Sequence, residues 1–112
     1  MILIIMVIPN SSTIYLELLK ILKDTRVITM KEVVSELSSV FNLNKEEQNK
    51  MKKSGNGTIF DSRVNWAKYH LKVAGLVMSP KKGQVKITNT GIELLKKKDL
   101  KIDRKFLKNF YN

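Results

Sequence analysis

Between Ser62 and Lys86, the side chains able to engage another molecule are of one kind. Ser62, Arg63, Asn65, Lys68, Tyr69 and Lys72 mix long cations with amide, hydroxyl and phenol groups, and Lys81, Lys82 and Lys86 follow shortly after. Lysine and arginine neutralise phosphate oxygens, an asparagine can meet an adenine edge with two hydrogen bonds, and a tyrosine can stack on a base. This is the chemistry of recognition rather than catalysis. The chain has one histidine, His70, and no cysteine, which excludes disulfides, thiolate metal sites and cysteine nucleophiles and leaves His70 without a second imidazole to share a metal. His70 therefore reads as a packing or boundary residue. The run SGNGT lacks the Lys-Ser/Thr pair that a phosphate-binding loop sets on nucleotide and metal. Neither a cofactor nor a metal is expected, and the chain is expected not to be an enzyme.

Charge names the class of partner. The 112 residues carry 21 Lys/Arg against 10 Asp/Glu, net +11. Residues 1–61 hold 8 basic and 7 acidic side chains, whereas residues 62–112 hold 13 and 3, so a net +10 is concentrated in the second part. Such asymmetry predicts a polyanion. With 43% hydrophobic and 28% charged residues, the composition is that of a folded domain rather than a disordered tail. The apolar opening MILIIMVIP is far below the ~20 residues a membrane span needs and has no basic segment before it. It is expected to be neither signal peptide nor anchor. It reads as an early alternative start, with Met6 as a further initiator, or as a short strand packed on the domain. Residues 1–10 are accordingly set apart as an extension from a domain over 11–112, with a cytoplasmic, nucleoid-associated location expected.

The elements that must hold these groups follow from spacing. Ser11 or Ser12 is placed to cap a first helix carrying Tyr15, Leu18, Leu19 and Leu22 at three- and four-residue steps. RVIT is a short β-prone piece. Thr29 and Glu32 have capping-box spacing and open a second helix, with Val33, Val34, Leu37, Val40 and Phe41 facing inward and Asn42 closing it in the left-handed conformation. The polar run NLNKEEQNKMKKSGNG, with Asn44 capping a helical turn, shows no core face and reads as a mobile surface insertion whose late lysines could touch a phosphate. Thr58 and Asp61 begin a third helix that ends before Gly75. Phe60, Val64, Ala67, Leu71 and Ala74 form its inward stripe, Trp66 and Val73 extend the edge of that stripe, and Asn65, Tyr69 and Lys72 face away. LVMSP and QVKIT can pair as a hairpin around KKG, with Gly83 in the turn and Lys81 and Lys82 at the tip. Thr88 or Thr90 then caps a helix with Ile92, Leu94 and Leu95 inward, and Asp103 caps a last one offering Phe106, Leu107 and Phe110.

The order helix, strand, helix, insertion, helix, hairpin, helix, helix predicts an α+β fold, mainly α: a winged helix-turn-helix with a small antiparallel sheet. In that arrangement the third helix, about 58–74, enters the major groove and the wing, 76–88, lies along the backbone. The run FDSRVNWAKYHLKVAGLVMSPKKGQVKITNTGIELL, Phe60–Leu95, also resembles the N-terminal domain of Mrr-type restriction endonucleases, whose pattern is F-D-x-R-V-x-W-A, then L-x-x-A-G-L, S-P, a basic-glycine turn and I-T-x-x-G. MVIPN, Met6–Asn10, is similar to that family's opening. The resemblance implies a domain that delivers a separate nuclease domain or subunit to DNA, in some members to DNA with modified bases. The catalytic part of that family uses a Pro-Asp followed by Asp/Glu-x-Lys, and neither Pro9 nor Pro80 precedes an aspartate. Cleavage is therefore not carried over, and the chain is expected to be a free-standing relative or part of a longer protein.

The expected partner is double-stranded DNA. Ser62, Asn65 and Tyr69 would lie near base edges, Arg63, Lys68 and Lys72 on phosphates, and Lys81, Lys82 and Lys86 on the flanking backbone. Two alternatives stand beside it: a winged-helix transcriptional regulator, and a protein-interaction or dimerisation module without DNA contact, in which FLKNFYN and the apolar N-terminus pair across a homodimer axis.

Overall fold

The fold, given by a computed structural model, is described for residues 8–111. The readings placed on Met1–Val7, an alternative start or a packed strand, lie outside these residues. Six helices and three strands follow one another among the described residues: α1 (Ser11–Ile21), β1 (Ile28–Thr29), α2 (Met30–Val40), α3 (Lys45–Asn49), α4 (Ile59–Val73), β2 (Val77–Met78), β3 (Gln84–Ile87), α5 (Asn89–Leu95) and α6 (Arg104–Lys108). The fold is α+β and mainly α, with one three-stranded antiparallel sheet in the order β1-β3-β2.

Short polar side chains set where the helices begin. Thr29, Asn44, Thr58, Thr88 and Asp103 each sit in extended backbone and accept a hydrogen bond from an amide of the first helical turn, satisfying a donor that has no partner within the helix. The first helix corrects the sequence reading by one residue. Its cap is Asn10, whose Oδ1 accepts from the Thr13 amide at 2.9 Å. Ser11 is instead the first helical residue, and its hydroxyl donates to the Arg63 carbonyl at 3.2 Å, so its polar group joins α1 to α4 rather than closing its own helix. At α2 the Glu32 carboxylate meets the Thr29 hydroxyl (3.2 Å). A full reciprocal box forms at Asn44 and Glu47, with bonds of 2.8 and 2.9 Å.

The core is built where the apolar stripes meet. Ile14, Tyr15, Leu18 and Leu19 of α1 face Phe60, Val64, Ala67 and Leu71 of α4, and Val33 and Leu37 of α2 close one side; α1 packs chiefly against α4. Leu76, Val77, Val85 and Ile87 bring the sheet onto this core, and Leu94, Ile102 and Leu107 cap it from the C-terminal segment. Val40, expected inside, is 51% exposed. Its angle on the helix, about 20° from that of Val33, is right, but it is the last residue of α2 and extends past the elements that cover Val33 and Leu37. Val34 and Phe41 are partly buried against the core, and Asn42 ends the segment at φ 53° as its type allows.

In the sheet, Val77 pairs with Ile87 and Met78 with Lys86, while Ile28 pairs with Val85 and Thr29 with Gln84. Val85 and Ile87 point into the core, so Gln84 and Lys86 alternate to the other face. The hairpin is fastened to the end of α4. Gly75 turns the chain at φ 80°, the Leu76 amide donates to the Leu71 carbonyl (2.9 Å) and the Thr88 amide to the Leu76 carbonyl (3.0 Å). The Thr88 hydroxyl donates to the Gly75 carbonyl at 2.6 Å while accepting from the Gly91 amide at 3.2 Å. One side chain thereby ties α4, the hairpin and α5 together.

Candidate nucleic-acid interface

Helix α4 carries the outward groups because its sequence leaves it no alternative. Phe60, Val64, Ala67 and Leu71 recur every three or four residues and are fully covered, so the residues on the opposite side face solvent. Asp61, Asn65, Tyr69 and Lys72 are exposed there, and Ser62 and Lys68 flank them half-buried. One amide proton of Asn65 is bonded to the Asp61 carbonyl at 2.8 Å, which fixes the side chain and leaves its oxygen and second N–H directed outward.

Arg63 is not brought to this face. It lies about 160° around the helix from Asn65, next to the inward stripe, and its guanidinium donates to the carbonyls of Ile8 (2.7 Å) and Pro9 (3.3 Å). That bond pattern holds the residues before α1 against the first turns of α4. Of the hairpin cations, Lys81 and Lys82 are exposed in the turn, and Lys86 is half-buried on β3.

Trp66 and Val73, placed by the sequence at the edge of the core stripe, are 55% and 45% exposed. Both sit beyond the edge of the stripe, and nothing in the sequence of α4 itself decides whether another element covers that edge. The Trp66 ring stands edge-to-face to Tyr69, with centroids 5.8 Å apart and planes at 86°. Their neighbour His70 is 8% exposed and serves packing: its Nδ1 lies 2.6 Å from the Tyr15 hydroxyl. Burial lowers the His70 pKa, and the positive charge of Arg104 lowers it further. Burial is also the main cause that raises the Tyr15 pKa. Both groups are thus neutral near pH 7, and the phenol and Nδ1 share one short hydrogen bond.

The segment before α4 corrects the reading of a plain surface insertion. Met51 bridges Thr58 in antiparallel fashion, the Ile59 amide donates to the Lys50 carbonyl (2.8 Å) and the Lys52 amide to the Gly57 carbonyl (3.0 Å). Leu43 and Glu47 are buried at its root. The resulting loop folds beside the start of α4 and forms one side of an open cleft of about 600 Å³, lined by Lys52, Asn56, Gly57 and Thr58 on that side and by Asp61, Ser62, Asn65, Trp66 and Tyr69 on the helix. The sequence reading missed this cleft. Its one local signal is the Asn44-x-x-Glu47 box, which orders the loop's root; the loop itself is held by backbone bonds that leave no side-chain pattern.

Among the described residues no group of three or more His, Cys, Asp or Glu side chains is placed to hold a metal ion, and no helix is long and apolar enough to cross a membrane. No curated protein and no solved structure matches the chain significantly. Its sequence does match a known family over residues 12–97, described as the Mrr N-terminal domain. Since that span is well over half of the molecule and includes α4, the loop before it and the lysine-tipped hairpin, this chain belongs to the Mrr N-terminal domain family.

Proposed function

We propose that this domain binds double-stranded DNA as a winged helix and serves as the non-catalytic targeting part of a restriction system, bringing to DNA a nuclease carried on the same or another polypeptide. In this reading α4 lies in the major groove, with Ser62, Asn65 and Tyr69 toward base edges and Lys68 and Lys72 on phosphates. The β2–β3 hairpin is the wing, and Lys81, Lys82 and Lys86 hold the flanking backbone. Arg63, committed to the carbonyls of Ile8 and Pro9, keeps α4 in place rather than reaching phosphate.

The observation that carries this reading is the hydrogen-bonded joint between α4 and the hairpin. The Thr88–Gly75 bond and the Leu76 amide join a helix whose outward face carries amide, phenol and lysine groups beside the Asp61 carboxylate to a lysine-tipped turn, the two elements that simultaneous groove and backbone contact requires. Family membership supports it further.

Fluorescence anisotropy of a labelled duplex across a salt series tests the proposal. Five engaged lysines predict a slope of log K against log salt of about −4.5. A slope near zero, or no duplex binding at low salt, would refute it.

A further inference from the structure

We propose that the cleft between the 50–58 loop and α4 is a receptor for one unpaired nucleobase, stacked against Trp66 and held at its exocyclic amine by Asp61. This inference rests on the DNA-binding reading and deepens it.

Four observations meet at the cleft. First, Trp66 and Tyr69 are more than half exposed although both are large and aromatic, and they stand at 86° to one another. Trp66 also lies 5.7 Å from His70 with the rings tilted by 33°, and the exposed remainder of its ring is the platform, since every base has a π-face to set on it. Second, the cleft, at about 600 Å³, lies within the range of small-ligand sites, where a mostly apolar lining meets a few placed polar groups.

Third, Asp61 puts the one carboxylate on a face of amide, hydroxyl, phenol and cationic groups. It would repel a phosphate, yet it is the acceptor suited to the amine of cytosine, and equally to that of adenine. Asn65, fixed by its bond to the Asp61 carbonyl, offers a further donor and acceptor beside it, and Ser62 a hydroxyl. Fourth, Lys52 stands on the loop side, where the phosphate of the same nucleotide would run.

An alkylammonium group is the other occupant that rings and a carboxylate could attract. Lys52 in the lining and the net +10 of residues 62–112 disfavour a cation there and favour a unit of an anionic strand. The base would leave the stack at the N-terminal end of the groove-bound helix. The cost of extruding it is smallest where it is already unpaired, so a bulge reports the receptor most directly.

Trp66 is the chain's one tryptophan, which makes its emission a direct reporter. The experiment compares a fully paired duplex with the same duplex carrying one bulged cytosine or one bulged thymine, following anisotropy and Trp66 emission together. The cytosine bulge should bind about 10-fold more tightly than the paired duplex, the order expected for stacking one base, and should quench Trp66; the thymine bulge should do less of both. Trp66→Ala should remove the preference while leaving the lysine-set salt slope on the paired duplex in place. Trp66→Phe should retain part of the preference, and Asp61→Asn should bring cytosine and thymine level. Equal affinity for paired and bulged duplexes without quenching would overturn the receptor and leave the groove-binding reading standing. Absence of binding to every duplex would overturn both. Saturable quenching by tetramethylammonium without quenching by the bulge would reassign the cleft to a cation and overturn the proposal.

Discussion

Replacing Tyr15 by phenylalanine removes one oxygen from the centre of the molecule, and the cost can be worked from its surroundings. Tyr15 is fully buried and His70 is 8% exposed, so the phenol and Nδ1 have each other as partners, 2.6 Å apart, with little access to water. The ring itself is kept in Tyr15→Phe, so packing changes little; what changes is that Nδ1 loses its hydrogen-bond partner. A buried polar group stranded in this way costs about 2 kcal/mol. For a chain of 112 residues the entropy of unfolding is near 0.24 kcal/mol per kelvin, which converts that cost into a Tm lower by about 8 °C. Thermal unfolding followed by circular dichroism at pH 7.5 measures it.

The pH profile carries the same signature. Because His70 is depressed below its ordinary pKa, the unfolded chain takes up its proton first; stability is complete above about pH 6.5 and falls as the pH drops through the folded pKa. Because Tyr15 is raised, the unfolded chain loses its proton first, and stability falls again above about pH 10. In Tyr15→Phe the share of the alkaline decline due to Tyr15 should vanish while the acid one due to His70 persists. A Tm within about 2 °C of the parent, well short of the cost of an unpaired buried polar group, together with an unaltered alkaline limb, would refute the neutral-pair argument.

Other outcomes follow from the fold and the proposed interface. Lys81→Ala combined with Lys82→Ala should reduce the salt slope by about 1.8 with little change in sequence preference, read by anisotropy on two unrelated duplexes. Asn65→Ala should leave the slope in place and relax discrimination at one base pair by about 1–3 kcal/mol, measured with a panel of single-position variants of a preferred site. Gly91→Ala would set a methyl carbon against the Leu76 carbonyl and 2.7 Å from Ile87 Cγ1; overpacking there should cost about 1–3 kcal/mol, seen in urea unfolding as a lower midpoint at constant m.

Features of the fold that depend on neighbours in sequence were legible in advance. Thr58, the stripe from Phe60 to Ala74 and Gly75 define α4 within eighteen consecutive residues, and the structure places each as its spacing implies, whereas the Asp61 amide, not its carboxylate, completes the Thr58 cap. Asn42, Thr88 and Asp103 also act at the ends the sequence assigned them. What was not legible depends on distant partners. Arg63 reads as one more cation on a basic helix until its guanidinium is seen on carbonyls 54 and 55 residues away. Trp66 reads as the edge of the core stripe, where large apolar side chains usually find cover, yet it is 55% exposed. The 50–58 loop folds through amide-to-carbonyl bonds, which any residue except proline can make and which therefore write nothing into composition.

The doubly bonded hydroxyl of Thr88 works as a clasp at the foot of the hairpin. Under the proposed reading, a polymer of different pitch would have to strain that clasp to meet both helix and turn, and A-form RNA, whose major groove is deep and narrow, should be the poorer ligand by shape alone.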